Sequence, residues 1–307
     1  MSSELSALLG SWDFRPEIIA VLSLAVLVYS LGWARLRPTR RRTHRTVKLR
    51  EQRLASGWRL ASYLSGISIL VLALMSPIDV LGGHLFFMHM IQHLMLIMFI
   101  PPLLLIANPL PFILWGLPDQ TRRHMGQWLS NRAYFRKTLK TTTRPGYVWI
   151  ILIVLIIGWH DPVFYNAALS SDLVHDLEHI SFFCAGMLFW WHITGAGPHV
   201  HGHFTSRMRI AYLLAMLPPT MLTGVTIAFA TQPIYTYYKS VPRLWGMTLM
   251  QDQMLGGIIM WIPGSMMYIL SALIIFSRLF SSGKNQKPVP NSVLDSDEVN
   301  AATVWQT

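Results

Sequence analysis

Two short stretches carry residues whose types and spacing could do chemistry. "HMIQH" places His89 and His93 four residues apart, and "HDLEH" repeats that spacing with His175 and His179. On a helix, residues i and i+4 share a face about 6 Å apart along the axis, so each pair aims two imidazoles in one direction. Glu178 stands three residues beyond His175, and His160 closes "IVLIIGWH". Imidazoles gathered this way suit copper, zinc or iron, and thioether sulfur selects Cu(I). Met88, Met90, Met95, Met247, Met250 and Met254 lie near these motifs or near Asp252. Glu178, Asp176 and Asp252 are candidates to orient a ligand imidazole from behind, fixing which ring nitrogen faces the metal. Two other readings fit the same residues. One is haem held by a histidine from each of two helices. The other is a set of buried histidines that only hydrogen-bond acids across a bundle. "HDLEH" does not reproduce the zinc-protease motif, because its acid precedes the second histidine instead of following the first.

The elements that must position these residues are apolar. The chain of 307 residues is 52% hydrophobic and only 13% charged, about half the charged fraction of a soluble protein. Runs at 17–36, 57–76, 84–107, 146–160, 173–193, 208–230 and 252–277 approach or exceed the roughly 17–25 residues needed to cross a bilayer. The fold class predicted is all-α, a polytopic transmembrane bundle of seven helices. The fourth run, "GYVWIILIVLIIGWH", is short and must borrow flanking residues. "PP" in the sixth and "PG" in the seventh are tolerated where neighbours satisfy the freed carbonyls. Of the 25 Lys and Arg, 22 fall on one side of these spans and only Arg15, Lys239 and Arg243 on the other. The positive-inside rule then puts the N-terminus outside and the C-terminus inside. The net charge of +11 is accordingly a topology signal, and "TRRRTHRTVKLR" is an anchor for the inner, anionic leaflet, with no nucleic-acid partner implied.

With that orientation His84, His89, His93, His160, His175 and His179 share the outer half with Asp79, Asp161, Asp172, Asp176, Glu178 and Asp252. Ionisable groups at such depth face a bundle interior or cavity and are functional candidates. His44, His124, His192 and the loop "GPHVHGHF", with His199, His201 and His203, fall inside. That loop reads equally as a metal-sensing patch and as an exposed turn. Residues 1–281 form the transmembrane domain. Its inner connection 108–145 lies partly in the interface plane through Met125, Trp128, Leu129, Tyr134, Phe135 and Leu139, and 282–307 is a disordered cytoplasmic tail. Cys184 is the only cysteine, which excludes an internal disulfide, a CxxC metal site and c-type haem attachment, and it reads as a small packing residue. "GGIIMWIPGSMMY" predicts close helix approach at Gly256 and Gly257 and a bend at Pro263. The first apolar segment lacks a basic n-region and reads as a retained helix rather than a signal peptide. No glycine-rich phosphate loop or nucleophile triad is present, and the absence of quinone- or haem-specific motifs favours reversible metal binding without turnover over a haem-bearing oxidoreductase.

"HMIQHLMLIMFIPPLLLIANP", "WHDPVFYNAAL", "HDLEHISFFCAGMLFWW", "LPPTMLTGVTIAFATQPIY" and "DQMLGGIIMWIPGSMMY", taken in order, resemble the CtaG family of bacterial cytochrome c oxidase assembly factors. The resemblance runs from about His84 to Phe276. It implies a multispanning protein of the bacterial inner membrane that matures haem–copper oxidases by handling copper, as Cu(I) or Cu(II). Its partners would be the oxidase subunits, the lipid bilayer and a periplasmic copper donor. The family pattern falls here on His89, Gln92, His93, His160, His175, Glu178, His179, Asp252 and Gln253. From the layer of histidines in the outer half, His89, His93, His175, His179 and His160 are the metal-ligand candidates, with Glu178, Asp252, Asp176 and Gln92 behind them. A haem-bearing membrane oxidoreductase and a copper transporter are the alternative functions.

Overall fold

The computed structural model describes residues 10–37, 55–128, 134–198, 200–202 and 204–284, with side chains up to residue 279. Helices make up its regular structure, and no strand occurs among the described residues. The basic run 39–50 with His44, Leu129, His199, His203 and the tail beyond 284 lie outside the described residues.

Each expected apolar run lies mostly within helix. Helix α1 is Pro16–Leu36, α2 is Gly57–Met75, and the short α3 is Pro77–Gly82. Helix α4 spans Phe86–Ile106, and α5, α6 and α7 are Pro109–Gly116, Asp119–Trp128 and Tyr134–Thr142. Next come α8, Pro145–Trp159, and α9, Pro162–Ser170. They are followed by α10 at Asp172–Thr194, α11 at Ser206–Ala228 and α12 at Leu249–Lys284. Five of these (α1, α2, α4, α11 and α12) are long and apolar enough to cross a membrane, and a sixth span results if α7 and α8, bent by 56°, count together. Helix α10 has 23 residues, but His175, Glu178, His179 and His192 lower its hydropathy. It is not among the five.

The core is organised around α4, which packs against α2, α10 and α12. Met95–Phe99 form a π turn directly before Pro101 and Pro102. Pro101 has no N–H to offer the carbonyl four residues back, so the Ile97 carbonyl needs another donor. Trp190 of α10 supplies it, its indole N–H lying 2.8 Å from the Ile97 oxygen. Gly186 lets α10 close on the same turn, where a Cβ would stand 3.2 Å from the Ile97 Cα. Together these contacts fix α10 against α4.

Small residues set two further approaches. A Cβ on Gly32 would lie 1.7 Å from the Phe112 carbonyl oxygen, and one on Gly116 1.9 Å from that of Val28, so α1 and α5 touch backbone to backbone. Gly256 sits under the Phe86 ring and Gly257 against the Ala228 backbone, as the close approach read from the sequence requires. Pro263 lies inside the continuous α12. Helices α6 and α7 bury no residue, and Trp128, Tyr134 and Phe135 are exposed.

Candidate metal centre

Helix α4 delivers His89 and His93, and α10 delivers His175, Glu178 and His179. The i,i+4 geometry brings the rings together within each helix, with centroids 4.2 Å apart for His89 and His93 and 4.1 Å for His175 and His179. Across the helices His89 lies 5.1 Å from His175 and 5.7 Å from His179, and His93 lies 5.5 Å from His179. One ligand atom from each of His89, His175, Glu178 and His179 falls within 4.8 Å of all the others. Glu178 is at the centre. Its Oε2 is 3.6 Å from His89 Nε2 and its Oε1 is 3.5 Å from His93 Nε2, with both oxygens buried.

A chain of hydroxyls settles how His89 is protonated. The Tyr238 hydroxyl donates to the Gly82 carbonyl at 2.8 Å, so at its 3.0 Å contact with Tyr165 it must accept. Tyr165 thereby spends its only proton and accepts from His89 Nδ1 at 2.9 Å. His89 Nδ1 carries the hydrogen, and Nε2 presents its lone pair to Glu178. This is the arrangement that orients a metal-binding imidazole. Tyr165 comes from α9, whose start is built by Asp161 accepting from the Val163 N–H and by Pro162 in the first turn. Tyr165 and Tyr238 carry no signal of this role in the sequence. The "DP" opening of "WHDPVFYNAAL" shows only that a helix begins there.

His89 Nε2, both ring nitrogens of His93, His179 Nε2 and both Glu178 oxygens are buried without a hydrogen-bond partner. Each such group costs about 1–3 kcal/mol, more when charged, and protein interiors rarely leave several in one place. A cation held by His89, His175, Glu178 and His179 would satisfy the atoms of that quartet. Three imidazoles and a carboxylate suit zinc, copper or iron.

The remaining sequence candidates surround this cluster with partners of their own. Asp252, fully buried, accepts from the N–H groups of Phe86 at 3.1 Å and Phe87 at 3.0 Å. It therefore caps α4 from another helix, one turn before His89, and pairs with Arg243 at 2.8 Å. Gln92 donates to the Ala73 carbonyl at 2.7 Å and to Asp79 at 2.6 Å, tying α4 to α2 and α3. Asp176 meets Arg15 at 2.5 Å. Gln253 accepts from the Ile234 N–H at 2.7 Å and so holds the loop that carries Tyr238. His160 lies across His93 from the quartet, 6.0 Å away by ring centroids. Cys184 is exposed, apart from the site. At the other end of α10 His192 donates to the Thr143 carbonyl at 2.9 Å and His201 to the Thr143 hydroxyl at 2.8 Å, which pins the loop to the segment just after α7.

A cavity of about 380 Å³ opens beside the cluster, with Arg15, Asp79, Asp176 and His179 among its polar lining and Ile18, Leu70, Leu96 and Phe183 among its apolar lining. Asp79 lies outside the spans, where burial pushes its carboxyl up to about 6 against the opposing pull of the Gln92 hydrogen bond and of Arg15. At neutral pH it is ionised and adds negative charge to this approach.

Comparison with known proteins places the chain. Residues 27–282 match the family described as cytochrome c oxidase caa3 assembly factor. An uncharacterized protein of Mycobacterium bovis and one of Mycobacterium tuberculosis are each 27% identical over 265 residues, 84% of this chain and 37% of the relative. An uncharacterized protein of Mycobacterium leprae is 27% identical over 262 residues, 81% of this chain and 36% of the relative. The chain thus spans little more than a third of the length of these curated relatives. No solved structure matches. This helical membrane protein belongs to the cytochrome c oxidase caa3 assembly factor family.

Proposed function

We propose that this protein binds copper at the outer-half cluster of His89, His93, His175, Glu178 and His179 and passes it to a haem–copper oxidase during assembly. The observation that carries this reading is the cluster between α4 and α10 in which one ligand atom from each of His89, His175, Glu178 and His179 lies within 4.8 Å of all the others, while His89 Nε2, His179 Nε2 and both Glu178 oxygens are buried without a hydrogen-bond partner. Ring centroids 4.1–5.7 Å apart leave room among the imidazoles for an ion rather than a macrocycle, which favours copper over haem. Family membership supports the oxidase as recipient. The cavity beside Asp79, Asp176 and His179 would admit a cation from the outer face.

When bound, copper would supply redox-competent cargo. The chain's own residues do the rest. Tyr165 holds the His89 ring, Asp252 holds the end of α4, and the apolar spans exclude water. In this account seven spans cross the bacterial inner membrane with the N-terminus outside, and α6 and α7 lie on the inner leaflet. A reporter fused after Arg59 is then expected to read inside and one fused after Tyr237 outside. The reverse pair would move the cluster to the cytoplasmic side.

The metal test is elemental analysis of detergent-purified protein. His89→Ala and His175→Ala should each lose most of the copper of the quartet, at least tenfold in affinity. Joint replacement of His199, His201 and His203 by alanine should retain it. Full copper in both single variants with loss in the triple variant would relocate the site to the inner loop.

A further inference from the structure

Met90 follows His89 on α4 and so points about 100° away from it. It meets the last residue of a different helix-turn, His160. His160 Nδ1 lies 2.6 Å from the Ile156 carbonyl oxygen, a contact that only an N–H can make. In the neutral ring Nε2 therefore carries a lone pair, and it faces the Met90 sulfur at 3.4 Å. Two acceptors confront each other with no proton between them. Both residues are buried. They open on a cavity of about 40 Å³ that Met98, Met260 and His93 also line, with Thr220 and apolar residues completing the wall. That is space for a single small ion or water. His93 belongs to both places, since its Nε2 lies near Glu178 and its ring lines this cavity.

The chemistry of this donor set differs from that of the quartet. Three imidazoles and a carboxylate accept several ions, Cu(I) and divalent ones alike, whereas thioether sulfur with imidazole selects Cu(I). We propose that Met90 and His160, with His93 as third donor, form a separate Cu(I) site next to the histidine–glutamate quartet. This rests on the reading that the protein handles copper, and it adds a second, softer station with its own ligands.

The test uses the full chain in detergent, loaded anaerobically with Cu(I) against a competing Cu(I) chelator and measured by copper K-edge X-ray absorption. Wild type should hold two equivalents and show a sulfur shell. Met90→Leu, close to isosteric, should lose one equivalent together with the sulfur shell. His175→Ala should lose the other equivalent and keep the sulfur. Selenomethionine-labelled protein, which needs no substitution, should show selenium beside copper. The proposal is overturned if wild type shows neither sulfur nor selenium scattering, as a doubly protonated His160 would produce, or if Met90→Leu keeps both equivalents. A protein that binds only the sulfur-free equivalent sinks this site and leaves the quartet standing. One that binds only the sulfur-bound equivalent sinks the quartet and leaves this site.

Discussion

Glu178→Gln should melt at a higher temperature than wild type when both are stripped of metal, and should no longer be stabilised by copper. Both Glu178 oxygens are buried and unpaired by hydrogen bonds. Placing a carboxylate in such surroundings is costly unless a positive partner is present. The amide is uncharged and can donate to the free lone pair of His89 Nε2, so the metal-free fold should gain about 1–3 kcal/mol. For a chain of this size that is a shift of roughly 3–10 °C. Copper stabilises whichever state binds it, so wild type should gain and the variant should not. Apparent melting temperatures at one fixed scan rate, with and without Cu(I), make the comparison. A variant that melts at or below metal-free wild type and keeps its copper would show that Glu178 is a structural residue.

Gly116→Ala and Gly32→Ala should act at the contact between α1 and α5 and in the opposite direction. The added Cβ would lie 1.9 Å from the Val28 oxygen in the first case and 1.7 Å from the Phe112 oxygen in the second. Backbone cannot rotate out of the way as a side chain can, so α1 must leave α5. The expected cost is at least about 2–3 kcal/mol, a fall of roughly 5 °C or more. The displacement would also carry off Arg15, which begins α1 and pairs with Asp176 beside His175. Gly158→Ala is the control, because nothing stands within 4 Å of where its added methyl would sit and helix propensity favours alanine. Equal melting of Gly116→Ala and Gly158→Ala would mean that α1 docks loosely.

The parts of this site that follow a helical period are legible in the sequence. His89 with His93, and His175 with His179, announce a shared face by spacing alone, and the charged loops mark the ends of the apolar runs. The parts that depend on contacts across the chain are not. Asp252 and the Phe86 N–H are 166 residues apart, and nothing local says that an acid at the start of the last helix caps the third apolar run. The proton order through Tyr238 and Tyr165 depends on three hydrogen bonds that join residues far apart along the chain. The sequence places Glu178 behind a ligand, whereas its oxygens lie among the ligand atoms. A position three residues on from His175 shares its face, and only the approach of α4 makes that face the interior of a cluster. Even the helix that carries it is a poor span by hydropathy, because of the residues that make it useful.

The π turn at Met95–Phe99 has a further consequence, one of phase. A π turn holds one residue more than the α-helical turn it replaces, and each residue advances a helix by about 100° and 1.5 Å. The half of α4 that carries the histidines is therefore indexed against the half beyond the π turn by a defect. Removing one residue within 95–99 would let the helix regularise, and would swing His89 and His93 by about a quarter turn relative to Leu104 and Leu105, which are buried beyond the turn. The histidines' aim is thus set by chain length between two anchored halves, and in this stretch the number of residues matters more than their identity.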